Sequence, residues 1–294
     1  MNTETYRFQV GAFDCIAVSD GTLTYTPPTF PPPTTLLFAS APPQRLDQTL
    51  REHNIQPEQW LEWVSPYICL VVNTGERRVL VDTGAGDLGP DTGRLLRNLE
   101  AEGVAPGDID TVILTHGHPD HIGGNTTGDG RPAFPNARHV MWKDEWDFWT
   151  SERAELELDE HLKEVLLTIA RKNLPAVQDQ LDLVDRETEI VPGVRAIAAP
   201  GHTPGHIALA IHSGGEQLLC ISDAALHPIH IEQPEWCAVV DFAPEQAVAT
   251  RRRILNMAAA DRALVTAFHF PFPGLGHVVQ RREGWQWQPV ETAG

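Results

Sequence analysis

Positive charge is what this chain lacks most: 22 Lys and Arg stand against 40 Asp and Glu in 294 residues, a formal net charge of −18. A protein that grips nucleic acid or an anionic membrane needs a basic surface to displace counterions, so neither partner is expected. The short run Arg251-Arg252-Arg253 reads instead as a solvated helix face. Cysteine is scarce as well. Cys15, Cys69, Cys220 and Cys237 are scattered without paired spacing, which predicts buried, reduced thiols in a cytoplasmic protein. No apolar run is long enough to span a bilayer. The opening residues Met1 to Arg7 have neither the basic nor the apolar segment of a signal peptide. With 41% hydrophobic and 21% charged residues, the composition is that of an ordinary globular protein.

No linker or internal repeat stands out, so residues 1–294 are expected to form one domain. A Pro-rich arm at about 22–65 carries seven prolines between Pro27 and Pro43, too many for a helix or a central strand. Its apolar Phe30, Leu36, Leu37 and Phe38 suggest an arm wrapped over the body or over a second copy in a homodimer. Asp20-Gly21 looks like a hairpin turn. Short apolar segments at 67–72 and 78–81, separated by Asn73-Thr74-Gly75-Glu76, read as a hairpin. Strands are predicted at 111–114, 138–142, 194–199, 206–212, 217–222 and 263–268, with a final strand across 277–290. Helices are predicted at 91–102 and 244–260, and a helical pair between Lys143 and about Val184, broken at Pro175. The mixture predicts an α/β protein with sheets covered by helices.

The chemistry concentrates at Thr115-His116-Gly117-His118-Pro119-Asp120-His121. Imidazole and carboxylate are the ligands preferred by divalent zinc and its neighbours. Four potential ligands in six residues exceed what one tight turn aims at one metal, whereas a Gly/Pro loop can splay them toward two. The same local grammar recurs at strand ends: Gly201-His202-Thr203-Pro204-Gly205-His206, then Ser222-Asp223, then Phe268-His269. Ligands at one edge of several strands converge on a rigid scaffold.

The runs HGHPDH and GHTPGH, the strand-end SD and the late His resemble the metallo-β-lactamase superfamily from VDTG at 81–84 to His269. That resemblance implies a four-layer αββα sandwich of two mixed β-sheets flanked by helices. It also implies two divalent metal ions, zinc foremost, with manganese, cobalt and iron also admitted. His116, His118 and His202 would hold the first metal and Asp120, His121 and His269 the second, with Asp223 bridging. Asp82 would orient a ligand histidine, and Thr203 and His206 would support His202. A metal-bridging hydroxide would attack an ester, lactone or phosphotriester, with Asp120 or Asp223 carrying the proton to the leaving group. Iron-dependent redox chemistry, or a binding protein on the same scaffold, are the alternatives.

Within the family, His118 in place of Glu argues against the di-iron flavoproteins, and Asp223 argues against the true β-lactamases. The acidic charge argues against the RNA- and DNA-processing branches. Only 25 residues follow His269, too few for the helical region of glyoxalase II. The sequence most resembles the lactonase and methyl parathion hydrolase branch, through Val18-Ser19-Asp20-Gly21-Thr22, the Pro-rich arm and the segment from His269 to His277. Lactonases of that branch usually carry Tyr three residues after the bridging Asp; here it is Leu226. A small-molecule substrate is expected in a partly apolar pocket walled by Leu226, His227, Phe270, Phe272 and Leu275. His230 is a further candidate for the site's surroundings. Trp60, Trp63 and Trp236 are expected to pack the core or the arm, and Cys220 to point into the core.

Overall fold

The strands of this chain pair almost entirely in the order in which they occur. The computed structural model describes residues 4–151, 160–282 and 284–292. The first seven strands form one sheet in sequence order: β1 Thr5–Val10, β2 Phe13–Tyr25, β3 Trp63–Asn73, β4 Arg78–Val81, β5 Thr111–Ile113, β6 Arg138–Trp142 and β7 Leu181–Val184. The last seven form the other: β8 Glu189–Val191, β9 Val194–Ala198, β10 Ile207–Ser213, β11 Glu216–Cys220, β12 Leu264–Thr266, β13 Leu275–Arg281 and β14 Gly284–Pro289. The helices are α1 Pro33–Phe38, α2 Pro43–Glu52, α3 Leu95–Ala101, α4 Pro119–Ile122, α5 Lys143–Thr150, α6 Glu160–Asn173, α7 Ile229–Glu232 and α8 Pro244–Asp261.

Each half begins with four antiparallel strands and then crosses through a helix to a parallel neighbour. The crossovers are β4 to β5 through α3 and β11 to β12 through α8. The repeat that the sequence does not reveal therefore exists in the strand plan.

Residue size dictates the layering. In β10, Ile207, Leu209 and Ile211 face the other sheet, while Ala208 and Ala210 lie beneath α8. Large aliphatic groups fill the gap between the sheets, and alanines let the helix approach closely. In β4, Val79 and Val81 join the layer between sheets and Leu80 the layer under the helices. A strand covered on both faces is apolar throughout. The result is two seven-stranded mixed sheets face to face with helices outside, the αββα sandwich expected from the sequence.

Several expectations are corrected. Asp20-Gly21 is not a turn: β2 runs through it with a register shift between Ser19 and Gly21. The buried Asp20 carboxylate instead accepts the backbone N–H groups of Ala85, Gly93 and Leu95 at 2.8, 3.1 and 2.9 Å. The Pro-rich arm is not extended, because prolines at the first turns start α1 and α2. Its Leu36, Leu37 and Phe38 are buried against Trp63, Leu226, Ile229 and Trp236 of the same chain. The apolar side chains that suggested a homodimer contact are thus covered by their own protomer. The tail is a hairpin, β13 and β14, rather than one strand. The predicted helical pair corresponds to α5 and α6; residues 152–159 between them lie outside the described residues. Among the described residues no helix is long and apolar enough to cross a membrane. All four cysteines are free and buried, with the Cys15 and Cys220 thiols pushed up to about 12 chiefly by burial.

Candidate metal centre

The strands β4, β5, β9, β11 and β12 all end at one edge of the sandwich, because antiparallel pairing of β9, β10 and β11 returns β9 to the direction of β11. Asp82 follows β4, residues 115–121 follow β5, His202 follows β9, Asp223 follows β11 and His269 follows β12. The turn after β4 and the turn after β11 hold Asp82 at φ 59° and Ser222 at φ 43°. Left-handed backbone at a non-glycine residue is costly and persists where the surroundings dictate it. Here the two side chains meet on Thr115, whose hydroxyl lies 2.8 Å from Asp82 Oδ2 and 2.9 Å from Ser222 Oγ.

The seven residues proposed as ligands are brought together, all buried. His118 Nδ1 lies 3.0 Å from both His116 Nε2 and His202 Nε2. Asp223 Oδ2 is 3.2 Å from His202 Nε2 and 3.6 Å from His116 Nε2. On its other side the same carboxylate is 3.2 Å from His269 Nε2 and, through Oδ1, 3.3 Å from His121 Nε2. Asp120 Oδ2 completes the second group at 3.4 Å from His269 Nε2 and 3.8 Å from His121 Nε2. His116, His118, His202 and Asp223 form one cluster whose potential ligand atoms lie within 4.8 Å of one another; Asp120, His121 and His269 form the next.

Three imidazole nitrogens at such separations match the spacing that a tetrahedral cation with metal–nitrogen bonds of about 2.0–2.1 Å requires. His121 Nε2 and Asp223 Oδ1 face each other but have no well-formed hydrogen bond, so two buried acceptor-capable atoms await an electrophile. The donor set fits two divalent metal ions.

The outward nitrogens of three of the clustered rings are held. His121 Nδ1 is 2.8 Å from Asp82 Oδ2, His202 Nδ1 is 2.9 Å from Asp241 Oδ1, and His269 Nδ1 is 2.8 Å from Ser65 Oγ. Such partners fix tautomer and ring direction. Burial opposes charge on His202, but Asp223 and Asp241 raise it to about 9. Burial likewise resists ionised Asp223, yet His121 and His269 hold its carboxyl well below the usual range. Burial keeps His116 and His118 neutral by pulling both well below the ordinary imidazole value. His206 is pulled down to about 3 by burial and by His202. Its Nδ1 donates to the Ala199 carbonyl, leaving Nε2 to accept the Asp223 backbone N–H at 3.2 Å. It therefore braces Asp223 rather than His202. Thr203 is buried, its carbonyl accepting the Gly201 N–H at 3.0 Å.

An apolar cleft opens over the cluster, with Pro119, Asp120, His118, His202, Asp223 and His269 at its floor. Leu226 lines it as expected. The other four expected wall residues do not. Phe270 is fully buried edge-on against Trp287 beneath the second sheet, and Leu275 lies between the sheets. A tight turn sends the chain away from the site directly after His269, with Ala267 N–H bonded to the Gly274 carbonyl and Gly274 N–H to that of Pro271. Phe272 leaves the cleft with it. His227 packs edge-on against Phe38 and is pulled down to about 3 by burial and by His53. His230 is away from the cluster: its Nε2 donates to the Leu37 carbonyl and its Nδ1 accepts the Leu226 N–H, joining α1 to the cleft wall.

The walls come instead from Leu23, Tyr25, Phe30, Leu36, Trp63, Leu88, Val240 and, on α6, Leu162, Val165 and Leu166. Trp63 thus faces the cleft as well as the arm. Ser65, Glu145, Asp241 and Tyr25 were not foreseen. Each reaches the site from a separate segment with no local motif, so only the tertiary fold reveals it.

A family model described as "Metallo-beta-lactamase superfamily" matches residues 63–267. An N-acyl homoserine lactonase from a Bacillus species is 27% identical over 271 residues, covering 85% of this chain and 95% of that protein. The solved structure of AidC, a dizinc quorum-quenching lactonase in complex with the product N-hexanoyl-L-homoserine, superposes with a TM-score of 0.88 at 26% identity, covering 99% of this chain and 98% of its own. The hydrolase AbOPH of the beta-lactamase superfamily superposes with a TM-score of 0.86 at 28% identity over the full length of both chains. With the family pattern spanning both sheets and all the clustered residues but His269, the chain belongs to the metallo-β-lactamase superfamily and to its metal-dependent hydrolases.

Proposed function

We propose that this protein hydrolyses lactones and neutral esters bearing an apolar acyl group, with two zinc ions as its resident metals. The observation that carries this is the position of Asp223 between two ligand clusters at the floor of an apolar cleft. His116, His118 and His202 would hold one ion, Asp120, His121 and His269 the other, and Asp223 both. When bound, such a pair supplies Lewis acidity: it lowers the pKa of water toward neutrality and polarises an electrophilic oxygen.

The chain's own residues do the rest. Asp82, Asp241 and Ser65 hold the ligand rings in one orientation. The aliphatic and aromatic walls exclude water and bind the acyl group through apolar burial. Asp120 borders the cleft and is the carboxylate best sited to receive a proton and pass it to the leaving oxygen, with Asp223 behind it. Neutral phosphotriesters share the required electrophilic centre and lack of charge. A net charge of −18 works against recruiting a polyanion, so nucleic acid is not expected as a substrate. Ligands come from both halves of the chain, so residues 1–294 act as one unit. Four buried free thiols suit the reducing cytoplasm.

A panel of lactones, aryl esters and phosphotriesters offered to metal-defined protein tests the function. Turnover well above a chelator-treated control is expected for lactones and esters. No turnover above that control on any of them refutes it.

A further inference from the structure

The cleft contains little that could touch a substrate's polar atoms. Of its lining residues, His118, Asp120, His202, Asp223 and His269 belong to the metal clusters, and ten others are hydrocarbon or proline. Two protic side chains remain, Tyr25 and Trp63. Tyr25 is joined to the cluster by a chain of contacts through Tyr67. Its ring stacks on Trp63 at 5.1 Å, and its hydroxyl lies 2.7 Å from that of Tyr67, whose ring meets His269 edge-on at 5.6 Å.

Geometry alone leaves the donor in the Tyr25–Tyr67 bond undecided, but burial decides it. Tyr67 is fully buried, and among the described residues its hydroxyl has Tyr25 as its one hydrogen-bond partner. If Tyr25 donated, the Tyr67 proton would be buried without an acceptor, which is the costly arrangement. Tyr67 therefore donates. Tyr25, which lines the cleft, accepts through its oxygen and keeps its own proton for another acceptor.

Taking the hydrolase function proposed above as given, we propose that the Tyr25 hydroxyl, oriented by Tyr67, donates a hydrogen bond to the substrate oxygen on which negative charge develops. The phenol O–H bond is not broken; Tyr25 acts as a fixed dipole in a water-poor cleft, where such donors act most strongly in the transition state. It would supply from β2 a polar contact that Leu226, also in the cleft wall, has no group to make. Tyr67 is a positioning residue.

The test compares Tyr25→Phe, Tyr67→Phe and Trp63→Phe with the parent protein, each loaded with two metal ions per chain by elemental analysis and with matched unfolding midpoints. For a lactone that the parent turns over, Tyr25→Phe is expected to lower kcat about 100-fold with KM within a few-fold. Tyr67→Phe is expected to lower kcat by a smaller factor, because the Tyr25 hydroxyl remains but is less fixed. Unchanged kcat in metal-replete Tyr25→Phe overturns the proposal, as does a loss confined to KM or a larger kcat loss in Trp63→Phe. If the Tyr25→Phe protein does not fold, Tyr67→Phe decides: unchanged kcat there overturns the oriented-donor proposal. A parent inactive on every lactone and ester refutes the hydrolase function itself, and the role of Tyr25 with it.

Discussion

Glu145 accepts the backbone N–H of Gly117 at 2.8 Å through one carboxylate oxygen, and with the other it accepts the N–H of Gly205 at 2.7 Å. Gly117 sits between His116 and His118, and Gly205 lies three residues after His202. One fully buried carboxylate on α5 therefore clasps the two loops that carry three of the clustered histidines. Trp149 Nε1 donates to the same carboxylate at 2.5 Å and covers Gly117 so closely that an added Cβ would lie 2.3 Å from the indole. Burial raises the Glu145 pKa while these donors lower it. Replacing Glu145 by Ala would leave three buried donors unpaired, at about 1–3 kcal/mol each. The expected outcome is a large loss of stability in urea unfolding together with metal retention weakened about 10–100-fold in chelator competition. Unchanged metal retention would show that the two loops hold their places without the clasp.

Arg251 supplies the second buried support. Its guanidinium donates to the carbonyls of Ala224, Pro234 and Trp236 at 2.5, 2.9 and 2.6 Å and faces Asp241, which holds His202. Both charges are out of water, and the Asp241 carboxyl is held down to about 2, burial being outweighed by His202 and Arg251. Arg251→Met strands Asp241 and is expected to cost about 3–5 kcal/mol, read from denaturant midpoints. A change under about 1 kcal/mol would mean that solvent reaches Asp241 in the variant.

His139 is a pH-dependent liability away from the site. It is buried in β6, neither ring nitrogen makes a well-formed hydrogen bond, and burial pulls it down to about 4 from 6.5. Below pH 6.5 the unfolded chain takes a proton that the folded chain refuses. Stability is thus lost as pH falls from 6.5 toward 4, by about 1.4 kcal/mol per unit from this group. His139→Leu is expected to match or exceed the parent at pH 7 and to show a shallower loss between pH 6.5 and 4. An equally steep acid limb in urea unfolding would contradict it.

How much was legible in advance follows from where the information lies. The clustered residues of HGHPDH and GHTPGH, with Asp223 and His269, stand at the ends of apolar strands, so local pattern and chemistry brought them out as candidates. The hairpin at 67–81 and helix 244–260 were readable from turn residues and periodicity. The arm misled because proline can begin a helix as well as forbid one. Phe270 and Leu275 misled because nearness in sequence to His269 says nothing once the chain turns at 271–274. Glu145, Asp241, Ser65 and Tyr25 were invisible because each acts on a residue distant in the chain, through a contact that only folding creates.

The cleft walls also set a chain-length rule. Each methylene moved from water into the apolar wall contributes about 0.8 kcal/mol, or about four-fold in kcat/KM. Homologous lactones of increasing acyl length are expected to gain by up to that factor per methylene until the cleft is filled. Leu166→Lys is expected to flatten the series. A parent indifferent to acyl length would assign the walls to packing alone.

The central claim is that two metal ions held around Asp223 make this protein a hydrolase. Elemental analysis coupled to lactone hydrolysis, as metal is removed and returned, tests it most directly. The account predicts two divalent ions per chain, turnover lost as they are stripped and regained only as the second equivalent returns, and failure of Asp223→Ala to retain both. Full turnover by metal-free protein, or by Asp223→Ala, would contradict it.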